Sequence, residues 1–492
     1  MTGEPLNIVL LMAGQWRWDT LFGPGHPCET PYLDRLTSAG TVFPNAFTPY
    51  PLCCPARGSL FTGKWPHQTG LTDNVQPGSY YPHGKLSSRH ATYLERLRDD
   101  AGYATSYAGK WHLGLGTAAE RGVELVAVSD GGVPGQRGES CPGFTLDEGA
   151  LGPFYGTFSS GQHRDQCAIE AGLNQIERLA GGDRPFCSVV STWGPHFPHF
   201  VPAAYAERYA DLGEQLDPHN ATVPFEETGK PAMQTRPYWP CQNTRPLTRQ
   251  DWRRTVQHYW AYCTFLDAQF GRVLALLRRL KISDRTVVAF VADHGEMLGA
   301  HGNFDKGPYL YEEAVHIPFI IHAPWARSPA DSGSFVNLRD LFPTLLDLAG
   351  ASGVLRDDEL RRSVWRTQCE ETYYCYDSYH GRQFKIRGIR TRRYKYNWSP
   401  HDVDELYDLV DDPGERVNRA GDPGLASVQQ DLHHRLNAWM ADEGDYLRCA
   451  AHLPAPGDYV DGRSAREQHD PGFWSDAERA WFTRTSVRDA GE

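Results

Sequence analysis

A chain of 492 residues is long enough for one large domain and a smaller second one, and 40 % apolar with 22 % charged residues is the makeup of a folded globular protein. The formal net charge of -12 excludes a basic footprint for nucleic acid or for an anionic membrane, so any anionic substrate must be drawn by local positive charge. No stretch approaches the roughly 20 apolar residues that span a bilayer, the N-terminus lacks a signal-peptide pattern, and the 11 cysteines are scattered, which together predict reduced thiols in a cytoplasmic chain.

The apolar run Asn7 to Ala13 predicts a first buried strand. Helices follow over 31–39 and 92–100, a strand over 104–108, a helix over 165–179 and a strand over 186–191. A long amphipathic helix is predicted over 251–281, where Trp252, Val256, Trp260, Cys263, Leu266, Phe270, Val273, Leu277 and Leu280 recur every three or four residues. Strands over 286–292 and 317–322 and a helix over 337–349 complete the alternation. This is an α/β pattern: a large, mostly parallel sheet sandwiched by helices, with ligands at the carboxyl ends of its strands.

Segments 115–162 and 211–248 are rich in Gly, Pro and polar residues without a period, and are expected to be surface excursions. Beyond about 350 the pattern changes to a hairpin within 386–397 and a helix over 426–441. The expected division is a catalytic domain over 1–350, a smaller C-terminal α+β domain over 351–450 and an extended tail over 451–492.

The chemistry-bearing residues cluster in short motifs, three of them directly after predicted strands. Cys53-Cys54-Pro55-Ala56-Arg57 opens a helical stretch that runs to Thr62-Gly63. In Gly109-Lys110-Trp111-His112, alternation lets Lys110 and His112 face one small anion while Trp111 packs away. Pro195-His196-Phe197-Pro198 follows the strand at 186–191. Ala292-Asp293-His294-Gly295-Glu296 follows the strand at 286–292, with Lys306 beyond it.

These motifs resemble those of the formylglycine-dependent sulfatases of the alkaline phosphatase superfamily, closest to the branch of choline-sulfatases and phosphonate monoester hydrolases. The resemblance spans residue 7 to about 445. It implies a sulfuric-ester hydrolase in which Cys53 is oxidised to formylglycine, the nucleophile, with Arg57 and Asn74 orienting it. By the same resemblance Lys110, His196 and Lys306 bind the substrate, His112 is the base for collapse of the intermediate, and His196 or Lys306 protonates the leaving group. Gln15, Asp293, His294 and the group derived from Cys53 would ligate a divalent metal, Ca2+ or Mn2+. The implied partners are a small-molecule sulfate ester and a formylglycine-generating enzyme; a homo-oligomer is left open.

One position departs from the pattern. The first strand ends in Gly14-Gln15 where the family has Asp-Asp or Asp-Gln, so one carboxylate ligand is missing and Asp19 lies too far along the chain to replace it simply. Two alternatives therefore stand beside the sulfatase reading: a phosphonate or phosphate-ester hydrolase, and a non-catalytic sulfatase-like protein that binds an anion.

Overall fold

The computed structural model describes residues 6–23, 25–75, 84–128, 145–152, 154–218, 229–235, 242, 244, 247–325 and 333–447. The expected mixed α/β fold is present. Its central sheet has seven strands: β1 (Asn7–Gly14), β2 (Thr41–Val42), β3 (Ala104–Gly109), β4 (Glu124–Val128), β5 (Phe186–Pro195), β6 (Thr286–Ala292) and β7 (Phe319–His322). They lie in the order β2-β7-β6-β1-β5-β3-β4, and every neighbouring pair is parallel except the two that involve β7. Central β1 is buried along its whole length, which is why it reads as an unbroken apolar run.

The helices are α1 (Pro31–Ala39), α2 (Cys53–Thr62), α3 (Tyr93–Ala101), α4 (Arg164–Ala180), α5 (Arg249–Arg279) and α6 (Leu341–Leu348). Their ends are written locally. Thr92 and Thr248 each accept a bond from the third residue of α3 and α5 and receive a carboxylate in return, and α1 begins on a proline. Helix α4 packs against β3 and β5 and against α5, while α2, α3 and α6 pack on one another. The register fixes which face each group covers. Tyr107 pairs with Val189 and meets Phe61 of α2, whereas Val190, one residue on and on the opposite face, lies against Gly172 of α4.

Some expectations need correction. Segment 115–162 is not only an excursion: it carries edge strand β4, and Tyr155–Ser160 pairs with His199–Pro202 and Thr145–Leu146 in a separate small sheet. Half of 211–248 and all of 451–492 fall outside the described residues. Not all thiols are reduced, because Cys167 is disulfide-bonded.

The C-terminal part is an antiparallel sheet of β8 (Glu371–Tyr379), β9 (Arg382–Thr391), β10 (Tyr394–Trp398) and β11 (Glu405–Asp408), with α7 (Ala426–Asp442) packed on β9 and β10. It shares a hydrophobic core with the larger part. Phe47, Tyr50, Leu52 and Trp65 are buried with Tyr374, Tyr376, Leu436 and Trp439. Among the described residues, no helix is long and apolar enough to cross a membrane.

Candidate active site

The residues singled out by motif gather at the carboxyl ends of β1, β3, β5 and β6, around the first turn of α2. Cys53 is the first residue of α2 and is fully buried. Leu52 offers the helix no side-chain cap; Asn74 accepts from the Cys54 N–H at 2.9 Å instead. Asn74 thus anchors the helix start that carries Cys53.

Strand β3 can deliver Lys110 only because Gly109 precedes it. Gly109 has φ 102°, and a Cβ there would lie 1.8 Å from the Ser191 carbonyl oxygen. Lys110 Nζ lies 3.4 Å from Cys53 Sγ and 4.4 Å from the centre of the Trp193 ring. Trp111 packs away against Phe61 and Tyr107, as the alternation predicts. His112 hydrogen-bonds to the Cys53 and Cys54 side chains.

At the end of β6, Asp293 is held on both oxygens. Oδ1 accepts the backbone N–H groups of Gln15 at 2.8 Å and His294 at 2.9 Å, and Oδ2 accepts Arg57 Nε at 2.8 Å. Arg57 also donates to the Lys110 carbonyl at 2.6 Å, while its Nη2 is buried with no partner among the described residues. His294 donates through Nδ1–H to the Gly295 carbonyl at 2.8 Å, which turns its Nε2 toward Cys53 Sγ, 3.1 Å away.

His196 is oriented in the same manner. Its Nδ1–H meets the Phe197 carbonyl at 2.7 Å, and its Nε2 accepts Lys306 Nζ at 2.8 Å. Lys306 also donates to Gln15 Oε1 and Asp305 Oδ1, both at 2.7 Å. Gln15 is not turned to the Asp293 and His294 side chains as expected of a metal ligand. Its amide nitrogen donates to Asp305 and Glu296 and its oxygen accepts Lys306, so the side chain braces Lys306. Asp19 pairs with Arg17.

Three carboxylates essential to this geometry were not identified from sequence. Asp305 precedes Lys306 and accepts from it, Glu296 lies within the Asp-His motif, and Asp165, at the start of α4, accepts Trp193 N at 2.6 Å, Gly194 N at 3.1 Å and Tyr262 Oη at 2.6 Å. Adjacency to motif residues was the one signal for the first two. Asp165 stands 28 positions before Trp193 and had none.

The charges are set by proximity. Burial alone would push the Cys53 thiol up, but Lys110, Lys306 and His294 hold it well below its usual range. Burial would also raise Asp293, yet His294 and Arg57 hold it down to about 2. Burial works against a protonated His112, and the thiols of Cys54 and Cys53 nevertheless push it up to about 9. Burial, followed by Lys306, keeps His196 well below the usual imidazole range. Glu296 is raised to about 7 by burial and then by Asp305.

Cys53, Asp293 and His294 are a possible metal site: their ligand atoms lie within 4.8 Å of one another. Gly14 adds nothing, and a Cβ there would sit 2.4 Å from the Trp193 carbonyl oxygen and 3.6 Å from Lys110 Nζ. One carboxylate, one imidazole and one sulfur do not fit Ca2+, which takes about 6–8 oxygen ligands.

This α/β sheet, with a buried thiol, two lysines and an Asp-His pair at its strand ends, has the fold of a solved sulfatase-type structure. The family profile described as Sulfatase matches residues 6–351, and that described as N-sulphoglucosamine sulphohydrolase, C-terminal, matches residues 299–442. The chain belongs to the sulfatase family, hydrolases that act on sulfate esters and generally use a divalent metal and a formylglycine. It is 27 % identical over 479 residues to the ulvan-active sulfatase of Formosa agariphila, covering 93 % of this chain and 85 % of that one. It is 29 % identical over 453 residues to the choline-sulfatase of Rhizobium meliloti, covering 86 % of this chain and 83 % of that one. The crystal structure of the phosphonate monoester hydrolase of Agrobacterium radiobacter shares the fold, with TM-score 0.71, 21 % identity, and coverage of 89 % of this chain and 96 % of that one.

Proposed function

We propose that this chain hydrolyses the sulfate ester of a small molecule through a formylglycine made from Cys53 by a formylglycine-generating enzyme. The observation that carries the reading is the convergence on buried Cys53 of Lys110, at 3.4 Å, and of His294, at 3.1 Å, with the Lys306–His196 pair alongside. Addition of water to the aldehyde of a formylglycine at position 53 gives a hydrate with two geminal hydroxyls, one to attack sulfur and one whose deprotonation later expels sulfate and restores the aldehyde.

The remaining work falls to residues on the page. Lys110 and Lys306 neutralise the sulfate oxygens, and the unpartnered Nη2 of Arg57 adds a donor. Lys306 carries protons on Nζ against His196 Nε2, and that pair supplies one to the leaving alcohol. His112 exchanges the proton at position 53, to which it is already hydrogen-bonded. No step is routed through a metal: even with oxygen in place of the Cys53 sulfur, the group found among the described residues supplies three ligands, fewer than the about 6–8 oxygens of a Ca2+ site. Lys110 and His112 favour sulfate over phosphonate, since the phosphonate-hydrolase branch resembles Tyr and Thr at those positions.

The test is to coexpress the chain with a formylglycine-generating enzyme, confirm thiol-to-aldehyde conversion by the mass of the Cys53 peptide, and assay an aryl sulfate beside an aryl phosphonate monoester. Sulfate turnover is expected, with Lys306→Ala reducing kcat/KM by at least about 100-fold. Faster phosphonate turnover would reassign the substrate. Fully converted protein that turns over neither ester would leave a non-catalytic anion-binding protein.

A further inference from the structure

The mismatch between this donor set and Ca2+ points to a different metal chemistry while Cys53 is still a thiol. Cys53 Sγ, His294 Nε2 and an Asp293 oxygen are buried and lie within 4.8 Å of one another. Sulfur, imidazole nitrogen and a single carboxylate oxygen are the ligands that Zn2+ takes at about 2.0–2.3 Å, commonly three from the protein with a fourth position left open. The 3.1 Å separation of Sγ and Nε2 is a few tenths of an ångström short of the roughly 3.5 Å between sulfur and nitrogen ligands on one tetrahedral Zn2+, so binding opens the pair slightly.

The surroundings meet the orienting requirements of a built site. The bond from His294 Nδ1–H to the Gly295 carbonyl fixes the tautomer that leaves Nε2 as the free ligand atom. Arg57 on Oδ2 and two backbone N–H groups on Oδ1 clamp the Asp293 carboxylate, whose Oδ1 lies 3.7 Å from His294 Nε2. Two features withhold the oxygens a harder ion would need. Gly14 has no side chain, with the Trp193 carbonyl filling the place of its Cβ, and the amide oxygen of Gln15 is taken by Lys306.

We propose that the unconverted chain carries a site for a zinc-class ion formed by Cys53, His294 and Asp293. Binding makes bonds from the ion to sulfur, nitrogen and oxygen, displaces the ion's water, and sends to solvent any proton still on the thiol. Oxidation of Cys53 replaces the sulfur by oxygen, so the zinc-class preference belongs to the thiol form and marks chain that has not matured.

The test uses full-length protein expressed without a formylglycine-generating enzyme, its thiol verified by peptide mass and no substrate present. Zn2+ affinity is measured by competition with a chromophoric chelator, and Co2+ serves as the spectroscopic probe. The expected result is one tight Zn2+ equivalent and a near-ultraviolet thiolate-to-cobalt band that millimolar Ca2+ leaves unchanged. Cys53→Ser should abolish the band and weaken Zn2+ by at least about 100-fold, and His294→Ala should weaken Zn2+ similarly. An unchanged denaturation midpoint for Cys53→Ser establishes that the loss is local.

A band that persists in Cys53→Ser, Zn2+ affinity unaltered in both variants, or displacement by Ca2+ would overturn the assignment. Either result leaves the sulfatase reading untouched, because that reading concerns the converted protein.

Discussion

Arg57 and Asp293 are both fully buried and joined at 2.8 Å, so each is tolerated in the core only because of the other. Arg57→Ala is expected to cost about 3–5 kcal/mol, read as a lower urea midpoint, because it strands the Asp293 charge. The carboxylate itself is held down to about 2 against an unfolded value of about 3.9. Its contribution is therefore fully present above about pH 3.9 and is lost as pH falls through about 2. Acid titration of stability should show that loss, about 2 kcal/mol, and Asp293→Asn should flatten it. Gly14 is the other residue whose role is steric. Gly14→Ala is expected to cost about 1–3 kcal/mol by thermal denaturation, because its Cβ meets the Trp193 carbonyl oxygen at 2.4 Å. An Asp at this position would carry the same Cβ, so it too would require β5 to move.

The decisive devices among the elements are the strand ends and what anchors them. The first turn of α4 carries Asp165, whose carboxylate takes the backbone N–H groups of Trp193 and Gly194 and so sets the path from β5 to His196. Asp165→Ala leaves these donors unsatisfied at about 1–3 kcal/mol each. In converted protein, on the role proposed for His196 at the leaving group, it should lower kcat more than it raises KM; Asp165→Asn keeps an acceptor oxygen and should recover part of the loss. Steady-state kinetics with an aryl sulfate measure both. The strands β1, β3, β5 and β6 were readable because strands buried on two faces are continuous apolar runs. β2 and β4 were not: β2 has two residues, and β4 emerges from a segment whose Gly and Pro content masks it.

For the whole molecule, the C-terminal sheet is not an independent attachment. Its core includes Phe47, Tyr50, Leu52 and Trp65 from the larger part, and Tyr379 of β8 donates to Asp305 at 3.2 Å, the neighbour of Lys306. A fragment of residues 351–447 should therefore fail to fold, giving a collapsed amide spectrum by NMR. The intact chain should lose near-ultraviolet and far-ultraviolet circular dichroism in one transition. Trp439→Ala, in contact with Trp65 at 4.8 Å between ring centres, should cost about 3–5 kcal/mol in that transition.

By itself the sequence determined the α/β class and the sites where strands end, and it singled out Cys53 with its lysine and histidine neighbours as candidates, because each lies in a short motif tied to a recognisable element. Only the tertiary structure decided what those residues do to one another. Gln15 and Lys306 are 291 positions apart, and Asp165 reaches Trp193 from another element, contacts that no local pattern can encode. The same holds for the metal question opened by Gly14. Sequence showed that a carboxylate was absent, but the approach of the Trp193 carbonyl and the convergence of sulfur, nitrogen and oxygen at 4.8 Å or less exist only once β1, β5 and β6 lie side by side.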